Sequence, residues 1–103
     1  MKLIGEFEMI TIIWDTLLKE EYQAEGLGII KRIWNDMKQF EGYIKHEVLI
    51  DADVPSHVVI TSCWVTRELA DKTVVTYATS EPVRLLSPLL AGPRKRTVLC
   101  GEF

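Results

Sequence analysis

Residues 42–65 constrain the fold more than any other part of this chain. Two strand-like runs, Tyr43–Ile50 and residues 57–65, flank the segment 51–56. Tyrosine, isoleucine, valine and threonine suit a pleated, half-buried strand, whereas the aspartates, proline and serine between the two runs suit a reversal of the chain. The stretch therefore predicts a β-hairpin with a long loop, and the other elements have to be arranged around it.

Residues 9–18 predict a first strand because β-branched and aromatic side chains dominate them. Alternation along this strand places Trp14 on the same face as Ile10 and Ile12, and the opposite face is also largely apolar. The preceding residues 1–8 are ambiguous. We interpret them as an expression remnant or as an N-terminal extension of the strand.

A helix is predicted over residues 19–40, where apolar side chains recur at the three- and four-residue spacing of a helix. Gly26 and Gly28 each cost about 1 kcal/mol relative to alanine inside a helix. Either the first turns fray, or a close neighbour needs the space. Gly42 is well placed to end the helix before the hairpin.

The chain after the hairpin predicts a second helical region and a last strand. Thr66 is placed to cap a helix. Residues 71–80 have the β-branched composition of a strand, but their apolar positions keep helical spacing, which favours a helix. Pro82 fits either a break in the helix or the first turn of a short second helix that extends to Leu90. Residues 94–103 predict the last strand.

The resulting order, β-α-β-β-α-β, predicts one α+β domain over residues 9–103. Its expected arrangement is ferredoxin-like, with a four-stranded antiparallel sheet and both helices on one face. Both faces of the predicted strands carry apolar side chains, for example Ile44 and Val48 on one face and Tyr43 and Leu49 on the other. Because one layer of helices covers only one face, we expect the second face to pair with another copy, giving a sheet-to-sheet homodimer.

Charge and composition narrow the expected partners. A net charge of −3 argues against nucleic acid, because neutralising phosphates needs a basic face. We interpret the short cluster Arg94-Lys95-Arg96 as a solvated strand end. The two cysteines are too few for a disulfide scaffold, and no apolar run approaches the length of a membrane span. The N-terminus lacks a signal-peptide pattern, so a cytoplasmic protein without a membrane partner is expected.

Four short motifs follow one another along this order. They are Gly42-Tyr43, the acidic, proline-containing loop 51–55, Trp64 followed by Thr66-Arg67-Glu68, and Pro88-Leu89-Leu90 before the last strand. Together they resemble the antibiotic biosynthesis monooxygenase (ABM) family. The resemblance implies a dimeric α+β barrel with a pocket between the helices and the sheet of each protomer. It also implies oxygenase activity on electron-rich aromatic substrates without metal, flavin or haem.

The resemblance also concerns two positions of the third strand. The family's oxygenases line their pocket with a tryptophan at the end of this strand and an asparagine four residues earlier. Trp64 matches the tryptophan, whereas Ile60 stands at the second position, and its apolar side chain cannot polarise oxygen or a carbonyl group. The family's haem-degrading branch uses an asparagine in the first strand and a tryptophan and a histidine in the second helix. This chain has none of them there, so haem degradation is not expected.

Cofactor binding in general is not expected, because the chain has no phosphate-binding loop or dinucleotide fingerprint. The candidate ligand-binding side chains are Trp34, Ile60, Ser62, Trp64, Tyr77 and Arg84. Trp64 could stack on an aromatic ligand or fill the core. The Tyr77 hydroxyl could orient a ligand or end at the surface. Arg84 could face an anionic group across the pocket mouth or lie in solvent.

His46 and Asp15 are the candidate proton acceptors. His46 is predicted to share a strand face with Ile44 and Val48, either as a base near neutral pH or as a hydrogen-bonded surface histidine. Asp15 ends the apolar first strand, where its carboxylate is either buried or marks the emergence of the strand into solvent. His57 is expected to be exposed. The histidines, cysteines and aspartates have no metal-ligand spacing, so no metal site is predicted.

The leading hypothesis is a cofactor-independent monooxygenase for a small electron-rich aromatic or quinol-type substrate. Trp64 would stack on the substrate, Tyr77 and Arg84 would orient it, and His46 or Asp15 would accept its proton. The alternative is a non-catalytic dimeric module that binds a small apolar or aromatic ligand in the same pocket. A third possibility is a structural dimerisation domain with a filled interior, which a cavity at Trp64 would exclude.

Overall fold

The computed structural model describes residues 9–101 and contains one antiparallel sheet of four strands. The strands are adjacent in the order β2-β3-β1-β4, which is the ferredoxin-like order that the sequence predicts. Their bounds are β1 Ile10–Leu17, β2 Tyr43–Ile50, β3 His57–Trp64 and β4 Lys95–Cys100. The interpretation of residues 1–8 and the end of the predicted last strand lie outside the described residues.

The hairpin of β2 and β3 forms as predicted, with one irregularity. Tyr43 pairs with Trp64 and Lys45 pairs with Cys63, so Ile44 is an additional residue that makes a β-bulge. Because of this bulge, the prediction that His46 shares a strand face with Ile44 is wrong. His46 lies on the helix side of the sheet with Tyr43, not with Ile44, because the extra residue interrupts the alternation.

The first helical region begins with a 3-10 turn, Glu20–Tyr22, and continues as helix α1, Gln23–Met37. Gly26 gives room to a close neighbour, because a Cβ atom there would lie 2.5 Å from a Leu18 methyl carbon. Gly42 follows the helix with a φ of 92°, a conformation that side chains other than glycine rarely adopt.

The second helical region consists of α2, Arg67–Tyr77, and α3, Glu81–Leu86. Thr66 caps α2 as predicted, since its side-chain oxygen accepts a hydrogen bond from the Leu69 backbone N–H at 3.2 Å. Pro82 occupies the first turn of α3. The predicted extension to Leu90 is instead a 3-10 turn, Ser87–Leu89, whose own proline removes a helical hydrogen-bond donor.

The helices cover one face of the sheet, and the core lies between these two layers. The buried strand side chains alternate along β3, and they meet the buried face of α1. The core is formed mainly by Ile10, Ile12, Leu18, Ile30, Ile33, Trp34, Met37, Val58, Ile60, Trp64, Ala70 and Leu86. Within residues 9–101, the strand side chains on the opposite face of the sheet are half-buried or exposed. No helix within residues 9–101 is long and apolar enough to cross a membrane.

Candidate functional site

A cavity of about 160 Å³ lies between the sheet and the helices. Its wall is mostly apolar and contains three tryptophan rings and one arginine. The lining residues are Ile12, Trp14, Thr16, Ile33, Trp34, Met37, Ile60, Trp64, Ala70, Thr73, Val74, Tyr77, Ala78, Val83, Leu86 and Arg94. The cavity touches Trp64, so the interior of the domain is not filled.

Trp64 forms part of the wall on the sheet side, and Ser62 and Tyr43 hold its indole ring in place. Its side chain is buried because it is on the inward-facing parity of β3, which it shares with Ile60 and Ser62. The indole N–H donates to the Ser62 hydroxyl oxygen at 3.0 Å, and that hydroxyl donates to the Ile12 carbonyl oxygen at 3.3 Å. The Tyr43 ring meets the indole edge-on, with centroids 5.8 Å apart. The polar edge of Trp64 is thus satisfied within the protein.

Ile60 and Ser62 have different roles in this arrangement. Ile60 lines the cavity directly, so the wall is apolar where the resemblance indicates an asparagine. Ser62 is fully buried beside Trp64 and does not line the cavity. It fixes the orientation of the indole and does not contact the space that a ligand would occupy.

Tyr77 on α2 and Trp34 on α1 line the helix side of the cavity. The Tyr77 hydroxyl donates to a carboxylate oxygen of Asp36 at 2.6 Å, which joins the two helices. Burial first, and then this hydrogen bond, raises the pKa of Tyr77 to about 12. Tyr77 therefore stays protonated at neutral pH and is not a base.

Arg94 is the charged residue of the wall, and it lies just before β4. Its guanidinium carbon is 5.0 Å from the centroid of the Trp14 ring, within the range of a cation–π contact. Surrounding protein lowers the pKa of Arg94 through desolvation, although an arginine remains positive at neutral pH. Because Arg94 lines the cavity and is also exposed, it lies where the cavity meets solvent.

The basic cluster 94–96 is therefore more than a solvated strand end. Arg96 is half-buried, and its guanidinium donates to a carboxylate oxygen of Asp71 at 2.7 Å. Lys95 is exposed as predicted, and Arg94 is exposed as well but also lines the cavity. The difference arises because β4 lies at the edge of the sheet next to β1, where alternate side chains turn inward towards Trp14.

His46 and Arg84 lie outside the cavity wall. The His46 ring packs against Trp34 with centroids 5.4 Å apart, and its Nδ1 atom is hydrogen-bonded to the Tyr43 hydroxyl. Burial, and secondarily the positive charge of Lys38, lowers the pKa of His46. Arg84 is exposed on α3 and does not line the cavity.

Asp15 lies on the opposite side of the sheet from the cavity. Its carboxylate is 2.9 Å from Nε2 of His57, and Asp51 is 2.8 Å from Nδ1 of the same ring. These hydrogen bonds, that to Asp51 first, raise the pKa of His57. His57 is therefore not simply exposed as predicted, because two carboxylates hold its ring against the sheet and leave about a third of it, 33%, in solvent.

The sequence did not single out Trp14 or Arg94 as site residues. Trp14 had a usable signal, because alternation along β1 places it on the buried face with Ile10 and Ile12. Arg94 had none, since its position depends on where β4 begins. Within residues 9–101, no three side chains of histidine, cysteine, aspartate or glutamate are grouped to hold a metal ion.

The fold and the cavity define a ferredoxin-like α+β domain with an aromatic-lined pocket. Comparison of the sequence with protein-family models and with curated proteins found no match. Comparison with solved structures identifies the antibiotic biosynthesis monooxygenase fold, as the sequence motifs predict.

Three of these structures illustrate the likeness. SnoaB, a cofactor-independent oxygenase from Streptomyces nogalater, superimposes with a TM-score of 0.81 at 12% identity, over 93% of this chain and 95% of that chain. Rv0793 from Mycobacterium tuberculosis gives 0.80 at 14% identity, over 92% and 96%. An antibiotic biosynthesis monooxygenase gives 0.78 at 17% identity, over 87% and 95%. At these identities the likeness establishes the fold alone.

Proposed function

We propose that this chain is a cofactor-independent monooxygenase for a small, electron-rich aromatic substrate of the quinol type. The observation that carries the proposal is the cavity of about 160 Å³ with Trp14, Trp34 and Trp64 in its wall. Flat aromatic faces favour an aromatic ligand, which can stack on them or meet them edge-on. The fold shared with SnoaB, a cofactor-independent oxygenase, supports the same class of reaction.

The volume of the cavity limits the size of the substrate. An apolar cavity of about 150 Å³ is known to bind benzene. A cavity of about 160 Å³ therefore suits one substituted ring, such as a hydroquinone or a catechol, better than a fused three-ring system. The proposed substrate is accordingly a monocyclic quinol.

The reaction needs no redox group from the protein because the substrate supplies the electrons. A ring carbon of the deprotonated quinol bonds to one atom of O₂, and the resulting hydroperoxide loses water to leave a carbonyl group. A hydroquinone and O₂ thus give a hydroxyquinone and one water. The contribution of the chain is to position the ring and to exclude bulk water from it.

The source of the proton acceptor differs from the sequence prediction. His46 and Asp15, the predicted acceptors, do not line the cavity, and its wall contains no carboxylate or imidazole among the described residues. The substrate therefore has to lose its proton before it is enclosed. This requirement favours quinols whose anion is already present at the working pH.

An oxygen-electrode assay with methylhydroquinone and catechol tests the proposal, run at about pH 9, close enough to the ordinary phenol pKa of about 10 for part of each substrate to be the anion. We expect oxygen consumption above the uncatalysed rate, and a decrease of kcat/KM by about tenfold or more in Trp64→Phe, because a small displacement of a bound ring is costly. Val75→Ala, at a position 76% exposed on α2, serves as the matched control and should retain full activity. If neither substrate causes oxygen consumption above the uncatalysed rate, and Trp64→Phe does not change that rate, the proposed monooxygenase activity is wrong.

A non-catalytic binding module is the second candidate. The absence of a base from the described wall favours it, as does Ile60 in place of a polar residue. Binding of a quinol without oxygen consumption would support this candidate over the monooxygenase. Under either function, we propose that the chain acts as a homodimer in the cytoplasm.

A further inference from the structure

We propose that Arg94 makes the cavity selective for aromatic ligands that carry an anionic oxygen, as a phenolate or a carboxylate. The inference rests on the proposed small aromatic ligand and specifies its charge. It also assigns a binding role to Arg94, which lines the cavity, and not to Arg84, which does not.

The first observation is the charge of the cavity wall. Among the lining residues within 9–101, Arg94 is the one formally charged side chain, and none of them is an aspartate or a glutamate. Tyr77, the other ionisable side chain of the wall, stays neutral because burial and its bond to Asp36 raise its pKa to about 12. The wall therefore offers a ligand one positive charge in apolar surroundings, where electrostatic interactions are stronger than in water.

The second observation is that three polar groups of the wall, those of Trp64, Thr73 and Tyr77, are already hydrogen-bonded to the protein. The Trp64 N–H donates to Ser62, and the Thr73 hydroxyl donates to the Leu69 carbonyl oxygen at 2.9 Å. The Tyr77 hydroxyl donates to Asp36. These groups hold the wall together and have their donors directed away from a ligand.

The third observation is the contrast between Arg94 and Arg96. Both guanidinium groups lie over the Trp14 ring, at 5.0 Å and 5.8 Å from its centroid. Arg96 forms an ion pair with Asp71. Arg94 takes part in none of the ion pairs formed among residues 9–101. Contact with the Trp14 face restrains the guanidinium at the cavity mouth. No carboxylate within residues 9–101 pairs with it, so its donors can bind an oxygen anion of a ring held against Trp14.

Binding of 4-nitrophenol as a function of pH tests the inference, because its anion and neutral form absorb differently. Dissociation constants can be measured by equilibrium dialysis. We expect the wild-type protein to bind nitrophenolate at least tenfold more tightly than nitrophenol. Arg94→Met should weaken nitrophenolate binding by about tenfold to a hundredfold, the range for a hydrogen bond to a charged group, and Arg94→Lys should retain most of the preference.

Neutral and positional controls separate charge recognition from damage to the cavity. Nitrobenzene lacks the anionic oxygen, so Arg94→Met should bind it as the wild type does. Arg84→Met removes the same charge from an exposed position and should leave the nitrophenolate constant unchanged. Benzoate, compared with nitrophenolate, shows whether a carboxylate or a phenolate is preferred, and tight binding of either one supports the proposal.

Two results would overturn the inference, and they are distinguishable. If Arg94→Met keeps the preference for nitrophenolate while nitrobenzene still binds, the role of Arg94 is wrong and the aromatic cavity stands. If the wild-type protein binds neither nitrobenzene nor 4-nitrophenol, the proposed aromatic ligand and the role of Arg94 are both wrong.

Discussion

His57 is held on the open face of the sheet by two carboxylates, one at each ring nitrogen. A neutral imidazole carries one N–H and can donate to Asp15 or to Asp51, whereas the protonated ring donates to both. Lys95 lines the same shallow groove and is a positive neighbour of the pair. The geometry therefore favours the protonated ring despite this lysine, in agreement with the raised pKa of His57 and the lowered pKa of Asp51.

Stability should depend on pH through this cluster. Because the pKa of His57 is raised on folding, its contribution is fully present below the unfolded pKa of about 6.5 and is lost as the pH rises through the folded value. The pKa of Asp51 is lowered, so its contribution is lost as the pH falls below about 4. In thermal unfolding, the Tm advantage of the wild type over His57→Gln should be largest near about pH 5–6 and should shrink towards alkaline pH.

His46→Gln provides the control with the opposite sign. Burial lowers the pKa of His46, so protonation opposes folding, and this variant should gain stability relative to the wild type as the pH falls. A Tm difference between the wild type and His57→Gln that stays constant from acid to alkaline pH would contradict the protonated cluster.

Helix α1 contains two glycines with opposite surroundings. A Cβ atom at Gly28 would have nothing within 4 Å, whereas one at Gly26 would lie 2.5 Å from the buried Leu18 side chain. Gly26 thus allows the start of α1 to approach the end of β1 closely. Gly28 has no such function in the described structure.

Alanine substitution should separate the two positions in urea unfolding. Gly28→Ala should stabilise the protein by about 0.5–1 kcal/mol, the usual difference between the residues in a helix. Gly26→Ala gains the same propensity but has to displace Leu18, so it should be less stable than Gly28→Ala by about 1–3 kcal/mol. Equal stability of the two variants would show that Leu18 moves at no cost.

Local periodicity in the sequence was sufficient to predict the elements and several wall residues. Alternation identified the hairpin, and helical spacing identified α2 in spite of its β-branched residues, because burial against the sheet outweighs intrinsic propensity. Trp64 and Ile60 follow the same alternation and were placed correctly on one strand face. The bulge at Ile44 was not predicted, because β2 has apolar side chains on both faces and a shift in the alternation leaves no mark in the sequence.

Features that depend on the packing of distant elements could not be predicted. The choice between Arg84 and Arg94 at the cavity depends on how α3 lies on α1 and on where β4 begins. The pairing of His57 with Asp15 joins residues on neighbouring strands whose register the sequence leaves open. The size of the cavity likewise follows from side-chain packing and has no signature in composition.

At the scale of the whole molecule, no helix or strand within residues 9–101 covers the face of the sheet opposite the helices. Leu17, Leu49 and Leu99 on this face are each 45% exposed, and Val59 lies half-buried at its centre on β3. Apolar surface of this kind is typical of protein–protein contacts. It supports the proposed sheet-to-sheet homodimer.

Sedimentation velocity at micromolar concentration tests the homodimer. The wild type should sediment as a dimer, and Val59→Lys should sediment as a monomer, because the contact would bury an unpaired lysine from each protomer in an apolar face. Val75→Lys introduces the same side chain on the helix side and should leave the dimer intact. A wild-type protein that sediments as a monomer would remove the proposed assembly.

The bulge in β2 also affects how this chain can be aligned with others. Because Ile44 is an additional residue, Tyr43 and His46 face the helices at a spacing of three positions, where a regular strand would have two. A relative with an unbroken second strand therefore needs a one-residue gap opposite Ile44. Without that gap, residues on one side of the bulge are matched with residues of the wrong face, and true equivalents in the strand are scored as mismatches.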